Sequence, residues 1–216
     1  MKLHLRHTEV ELSYTLLCLT AAAVLLSVTE RFVWCALAIM IHESGHLLAM
    51  RRCGYFPKRI KISLFAIDIT DSARQERTAA QNAFIIFFGP FANFVCFLCG
   101  YLLYLKGIVR SLPFAAANLS VGLFNSLPVL SLDGGQLLWL LLCRRCMPAS
   151  AEKVVNALTF ACILPLAALG FWLLLRERNV SLLFVSIYLT GALLNRENRF
   201  FEGRKIWYPK KLKNCF

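Results

Sequence analysis

The segment IHESGH contains the three side chains of this sequence whose types and spacing are best suited to chemistry. His42 and His46 are four residues apart, so on a helix they lie on one face, one turn from each other. Both imidazoles can then point at a single metal ion. Glu43 lies beside them and can accept a proton from a water molecule near that ion. The H-E-x-x-H spacing therefore predicts a metal site with a general base, as metal-assisted hydrolysis requires.

The surroundings of this motif are apolar, because residues 32–50 carry no charged side chain other than Glu43. A run of this length is typical of a membrane span, which needs about 20 residues of helix. Ionisable side chains inside a membrane are costly and are taken as functional by default. The alternative is a pair of buried histidines with local hydrogen bonds. We favour a divalent cation, since it compensates all three side chains at once.

Asp133 is our candidate for a third metal ligand, because catalytic zinc has three protein ligands and one open position. It is the only charged residue in the apolar stretch 111–143. At about 1.5 Å per helical residue, His46 and Asp133 lie about 8 Å and about 16 Å from the arginines that end their runs. Glu76 and Glu152 are the alternatives, for a membrane-anchored metallopeptidase whose site faces water, but both lie in charged loops.

The whole chain has the composition of a membrane protein. Of its 216 residues, 58% are hydrophobic and only 17% are charged, whereas soluble domains carry about 25% charge. We predict an all-α polytopic membrane protein with about six transmembrane helices. The six apolar runs are 12–29, 32–50, 79–105, 111–143, 154–175 and 180–194.

The fourth apolar run, 111–143, is too long for one simple span and contains residues that interrupt helices. Pro128 and the pair Gly134-Gly135 predict a break around the segment LPVLSLDGG, between two helical pieces. Irregular backbone at membrane depth is tolerated only where protein or a water-filled cavity surrounds it. We therefore expect one broken helix and a cavity near Asp133.

The connector after the second run has the period of two that is typical of a half-buried strand. In the segment 59–64, Ile60, Ile62 and Leu64 alternate with polar residues, and AIDIT follows as a second candidate strand. We predict a short β-hairpin at the cytosolic membrane surface. Its first strand could bind an unwound substrate by strand addition.

The formal net charge of +12 comes from lysines and arginines that are distributed asymmetrically among the loops. With six spans, 19 of the 24 basic residues fall on the side of the termini, which predicts that both termini are cytosolic. We expect an integral membrane domain over 1–195 and a basic cytosolic tail over 196–216. No basic stretch is interleaved with aromatics on a soluble fold, so the predicted environment is the lipid bilayer and not nucleic acid.

Three elements of the sequence together resemble the site-2 protease family of intramembrane zinc metalloproteases, peptidase M50. These are HESGH at 42–46, GPFAN at 89–93, and an N-x-x-P-x-x-x-x-D-G pattern at 125–134. The resemblance covers a core of about 32–143. It implies one zinc ion per chain, with His42, His46 and Asp133 as ligands and Glu43 as the general base.

The resemblance also implies a function and further site residues. Asn125, Pro128 and Asn93 would bind or position the substrate. The protein would be an intramembrane zinc endopeptidase that uses metal-activated water to cleave a transmembrane or membrane-associated protein, in regulated intramembrane proteolysis. A non-catalytic transporter or scaffold, in which the polar cluster serves ion passage or packing, is the alternative.

The organisation of the chain is similar to one subgroup of that family. Six spans, a very short loop between the first two and no inserted PDZ-like domain are similar to the sporulation type, which processes a sigma-factor precursor. Members of that group often carry a C-terminal CBS domain, which we do not expect in this chain. The implied substrate is a sigma-factor precursor or an anti-sigma factor.

Overall fold

A computed structural model describes residues 2–5, 8–12, 29–55, 59–62, 67–70, 77–177, 186–187 and 189–191. The chain divides into two compact units, Met1–Leu123 and Phe124–Phe216. Within the described ranges, three helices are long and apolar enough to cross a membrane: Phe32–Arg52, Ala79–Leu105 and Pro148–Arg176. The protein is therefore a multi-pass membrane protein. The first and sixth predicted spans lie mostly outside the described residues, so the count of six stays a prediction.

Helix α1, Thr29–Arg52, carries the H-E-x-x-H motif. We expected Glu30 and Arg31 to form a turn between two spans, but both belong to α1, with Glu30 in its first turn. A carboxylate at the amino end of a helix and the arginines of the last turn at its carboxyl end both interact favourably with the helix dipole. The helix therefore extends beyond the apolar run at each end.

Four short strands form one sheet in the order β1-β2-β3-β4 within the described residues. The strands are β1 at Lys2–Leu5, β2 at Thr8–Leu12, β3 at Arg59–Ile62 and β4 at Ile67–Thr70. The outer pairs β1-β2 and β3-β4 are antiparallel, whereas β2 and β3 are parallel. The sequence patterns indicated no strand before residue 12.

The position of β3 inside this sheet changes one expectation. We predicted that the segment 59–64 could add an unwound substrate as a neighbouring strand. Instead, β3 already pairs with β2 through Glu9 and Arg59 and their successors, and with β4 on its other side. Both of its hydrogen-bonding edges are therefore occupied. That the sheet lies at the membrane surface stays a prediction.

Helix α2, Ala79–Leu105, begins with a capping box. The Thr78 hydroxyl accepts the backbone N–H of Gln81, and the Gln81 side chain accepts the backbone N–H of Thr78. Two amide groups that the helix itself cannot satisfy are thereby paired. Just before the cap, the guanidinium of Arg77 lies over the ring of Tyr55 at 4.6 Å. Burial lowers the pKa of Arg77 below its ordinary value.

Helices α1 and α2 approach each other closely at Gly45 of the HESGH motif. A Cβ atom at this position would overlap the carbonyl oxygen of Phe88 and would lie 3.0 Å from the Cβ of Ala92. The two backbones are therefore in direct contact where the histidines lie. Ala49 and Ile85 continue this contact as part of a buried apolar cluster.

Helix α3, Ser111–Ser126, packs against both preceding helices in the first unit. The rings of Trp34 and Phe114 meet edge to face with centroids 5.9 Å apart. Ala115 lies against Gly100 of α2. Small residues at these positions bring the three helices close together, as is common in membrane bundles.

The predicted break in the fourth apolar run is confirmed. After α3 ends at Ser126, residues 127–132 are not helical, and α4 occupies Asp133–Leu142. Pro128 cannot donate a backbone hydrogen bond, which prevents α3 from continuing through it. Helix α5, Pro148–Glu177, begins six residues earlier than predicted, because proline is well suited to the first position of a helix.

The second unit is held together by an apolar cluster at the break. Val129 and Leu132 from the break pack with Ile163 of α5 and with Leu189, and all four are buried. The residues of the break that precede Asp133 therefore belong to the core, although they are not helical. This packing holds the amino end of α4 in one place.

Replacing Gly45 with alanine should separate α1 from α2. The added methyl group would overlap main-chain atoms, which cannot rotate away, and overpacking of this kind costs about 1–3 kcal/mol. We expect a lower unfolding temperature in detergent, measured by differential scanning fluorimetry. The control is Gly191→Ala, where nothing lies within 4 Å of the added atom. Equal losses in both variants, or none in Gly45→Ala, would contradict this account of the helix contact.

Candidate metal centre

His46 is buried in the first unit and held in one orientation by the main chain of α2. Its Nδ1 lies 2.8 Å from the carbonyl oxygen of Ile85. A carbonyl oxygen can only accept a hydrogen bond, so in the neutral imidazole Nδ1 carries the proton and donates it to Ile85. The lone pair is then on Nε2, which is the atom that faces the Nε2 of His42.

His42, one turn earlier on α1, faces His46 through the corresponding atom. The two Nε2 atoms are 3.2 Å apart, and the ring planes meet at 84°. The Nδ1 of His42 lies 2.8 Å from the Oδ1 of Asn93 on α2. With a proton on each Nδ1, both Nε2 atoms present lone pairs to the same small volume.

The two imidazoles are chemically suited to bind a cation. Two lone pairs at 3.2 Å repel each other unless a proton or a metal ion lies near both. Imidazole nitrogen is a preferred ligand of zinc, and the second ring nitrogen of a zinc ligand commonly donates to a carbonyl or carboxylate. Both histidines have this second hydrogen bond in place.

Gly89, the first residue of GPFAN, provides the room that the ring of His46 occupies. A Cβ atom at this position would overlap the Nε2 and Cε1 atoms of that imidazole. Any larger residue would displace the ring from its hydrogen bond with Ile85. The glycine of this motif is therefore explained by the histidine that packs against it.

Asp133 is positioned by the second unit, where it opens α4 directly after the break. The break itself is fixed by Thr159 of α5, which is fully buried. The Thr159 hydroxyl accepts the backbone N–H of Leu130 at 3.1 Å and donates to its own helix at the carbonyl of Val155, 2.8 Å away. One hydroxyl thus supplies a hydrogen-bond acceptor to a backbone amide of the break.

The two glycines after Asp133 allow the amino end of α4 to lie against the preceding backbone. A Cβ at Gly134 would overlap the carbonyl oxygen of Ser126, and a Cβ at Gly135 would overlap that of Val129. A side chain at either glycine would therefore displace the backbone before Asp133. Its glycines serve close packing around the aspartate.

The candidate ligands are His42 and His46 in the first unit and Asp133 in the second. Two imidazole nitrogens and one carboxylate oxygen form a donor set that suits zinc with an open fourth position. The histidines are buried and the aspartate is half-buried. Glu43, the predicted general base, is half-buried on α1 beside His42.

The remaining predicted residues occupy distinct positions. Asn125 is half-buried in the last turn of α3, and Pro128 is half-buried in the break. Asn93, predicted to contact substrate, is completely buried and hydrogen-bonded to His42. Glu152, one of the alternative third ligands, is half-buried near the start of α5. Glu76, the other, lies outside the described residues.

Sequence reasoning missed three residues that shape the site. Asn118, in the apolar run 111–143, carried a signal, because a buried amide at membrane depth is costly without a role. Thr159 carried none, since threonines in helices often bond the carbonyl four residues earlier. Gly89 was noticed only as part of GPFAN, and its packing against His46 depends on a contact between two helices.

Comparison with known proteins gives a family-model match and a similar solved structure. The model of Peptidase family M50 matches residues 103–166, which include the break and Asp133 but not the histidines of α1. The structure of the Site-2 Protease from Methanocaldococcus jannaschii is similar, with a TM-score of 0.65 and 18% sequence identity, covering 88% of this chain and 91% of that chain. No curated protein matches the chain. The chain thus shares the fold of that protease.

We predict that Gly89→Ala loses metal while the helices remain folded. The methyl group would push the imidazole of His46 off its acceptor, and loss of such support typically costs about 10–100-fold in metal affinity. Zinc per chain, measured by mass spectrometry after purification, should fall accordingly. Gly100→Ala is the matched control on the same helix, because its methyl group would meet the Phe114 ring instead. Full zinc content in Gly89→Ala would refute the steric role of this glycine.

Thr159→Val should destabilise the break before Asp133. Valine has the same shape but removes the hydroxyl that accepts the N–H of Leu130, and losing a partner of a buried polar group costs about 1–3 kcal/mol. We expect a lower unfolding temperature and faster hydrogen exchange at Leu130, measured by mass spectrometry. Thr159→Ser keeps the hydroxyl and should show normal exchange at that amide. If valine and serine behave alike, the hydroxyl does not support the break.

Proposed function

We propose that this protein is an intramembrane zinc endopeptidase that cleaves a transmembrane or membrane-associated protein. The proposal rests above all on the paired imidazoles of His42 and His46, whose Nε2 atoms are 3.2 Å apart in a helix long and apolar enough to span a membrane. We propose Asp133 as the third ligand. The shared fold and the family-model match over residues 103–166 are consistent with it. We expect one zinc ion per chain.

Different residues of the chain would bind the metal and transfer the proton during hydrolysis. His42, His46 and Asp133 would hold the zinc ion, which when bound lowers the pKa of water and polarises a carbonyl group. Glu43 follows a ligand directly and would accept the proton of the attacking water, then return it to the departing amine. Its half-buried position on α1 suits a group that must exchange protons during each turnover.

The substrate side of the proposal concerns the residues around the break. A transmembrane helix hides its peptide bonds in intrahelical hydrogen bonds, so a substrate must unwind before it can be cleaved. Asn125 and Pro128 flank the point where α3 ends, and we propose that they contact the unwound segment, as the family resemblance implies. For Asn93 we propose a different role, because its amide is already engaged by His42.

The proposal also includes a membrane topology. Six spans with both termini in the cytosol follow from the apolar runs and from the 19 basic residues on one side. The site would then open towards the cytosolic half of the membrane. A sigma-factor precursor or an anti-sigma factor is the substrate that the similarity to the sporulation type favours.

Co-expression with a candidate single-span substrate separates the proposed roles of Glu43 and Asp133. Glu43→Gln should retain zinc but lose about a hundredfold to ten-thousandfold in cleavage rate, because only proton transfer is removed. Asp133→Ala should lose both zinc and cleavage. The rate is measured by immunoblot of the product over time, and zinc by mass spectrometry.

Glu152→Gln is the matched control, since it changes the alternative third ligand in the same way. It should keep both zinc and activity. Cleavage that persists in Glu43→Gln would refute the endopeptidase mechanism. Full zinc in Asp133→Ala together with loss of zinc in Glu152→Gln would favour a metallopeptidase with a water-facing site.

A further inference from the structure

A line of side-chain amides connects α3 to the metal-binding face of α1. The Nδ2 of Asn118 donates to the carbonyl oxygen of Phe114 at 2.9 Å, and its Oδ1 accepts from the Nδ2 of Asn93 at 3.0 Å. Asn93 also donates to the carbonyl oxygen of Ala38 at 2.9 Å, and its Oδ1 faces the Nδ1 of His42 at 2.8 Å. Both asparagines are completely buried.

The direction of every hydrogen bond in this line is determined by its two main-chain ends. A carbonyl oxygen can only accept, so Phe114 requires the NH₂ group of Asn118 and Ala38 requires the NH₂ group of Asn93. The oxygen of Asn118 is then left to face Asn93. The oxygen of Asn93 is left to face His42. Reversing either amide would place two acceptors against each other in a buried site.

These hydrogen-bond directions determine which nitrogen of His42 carries the proton. Because it meets an amide oxygen, its Nδ1 must donate and carries the proton in the neutral ring, which leaves the lone pair on Nε2. We propose that Asn118, acting through Asn93, is a positioning residue that fixes the tautomer and orientation of His42 for metal binding. This inference rests on the metal site of the proposed function and adds to it two residues that touch neither metal nor substrate.

The two ligands on α1 differ in how they are oriented. His46 donates to a main-chain carbonyl, that of Ile85, which no substitution of that residue removes. His42 depends instead on two side chains from two other helices. A change at Asn118 should therefore affect one ligand of the pair and leave the other in place.

A purely structural role for Asn118 makes a different prediction. If the amides served only to join α2 to α3, then losing them would lower the unfolding temperature without a specific effect on metal affinity. If they orient His42, then metal affinity changes even where the fold persists. A side chain that restores the hydrogen-bond pattern should also restore the affinity.

The test compares Asn118→Leu, Asn118→Asp and Ser120→Ala in the purified full-length protein. Leucine removes both hydrogen bonds. A buried aspartate is favoured in its neutral form, in which one oxygen accepts from Asn93 and the hydroxyl donates to Phe114. Ser120 is an exposed residue of the same helix that bonds only the carbonyl of Ala116, so its alanine variant is the control.

The affinity for Co²⁺ is measured by its visible absorption, and zinc content by mass spectrometry. We expect Asn118→Leu to bind about 10–100-fold more weakly, with Asn118→Asp recovering most of that loss and Ser120→Ala unchanged. Wild-type affinity in Asn118→Leu would overturn the inference while leaving the proposed function standing. Equal weakness in the aspartate variant would overturn the role of hydrogen-bond direction.

A second measurement does not depend on a variant that folds. In the metal-free wild-type protein with ¹⁵N-labelled histidine, the imidazole of His42 should be protonated at Nδ1, as nitrogen chemical shifts report. An Nε2-protonated ring at this position would overturn the inference. A wild-type protein that binds no metal would overturn both this inference and the proposed function, whereas one that binds metal but cleaves nothing would overturn only the latter.

Discussion

A polar atom that cannot reach water must find its partner within the protein, and this constraint accounts for most of what surrounds the two histidines. Each Nδ1 has an acceptor on α2, one from the main chain and one from an amide. The two Nε2 atoms then face each other at 3.2 Å, an arrangement of lone pairs that a bound cation would stabilise. The same hydrogen bonds that make the imidazoles acceptable in an apolar helix thus prepare them to bind a cation.

Meeting that constraint requires helices that approach more closely than large side chains allow. Gly45 brings α1 against the backbone of α2, and Gly89 leaves space for an imidazole on the opposite helix. In the second unit the same logic applies to an interrupted helix, where the backbone N–H of Leu130 donates to a buried threonine. Glycines let the helices approach closely, and single polar side-chain atoms complete the hydrogen bonds of buried groups. Together they allow polar groups to pack in an apolar interior.

The pairing of His42 with His46 could be predicted from sequence because it depends on local spacing. The H-E-x-x-H spacing places both histidines on one helical face. Pro128 interrupts its helix because it lacks a backbone N–H, whatever the surrounding tertiary structure. The positions that were missed depend on contacts between distant segments. No periodicity in residues 2–12 indicates that β2 will pair in parallel with β3, and nothing near Asn118 identifies Asn93 as its partner. Helix ends were also displaced, since α5 begins at Pro148 within a segment read as loop.

The direct contact between α1 and α2 has a consequence for how a substrate of the proposed endopeptidase would reach the histidines. Parting these two helices would withdraw Ile85 from His46 and Asn93 from His42, so both imidazoles would lose their orientation. Under the proposed function, we therefore expect a substrate to approach along another face of α1.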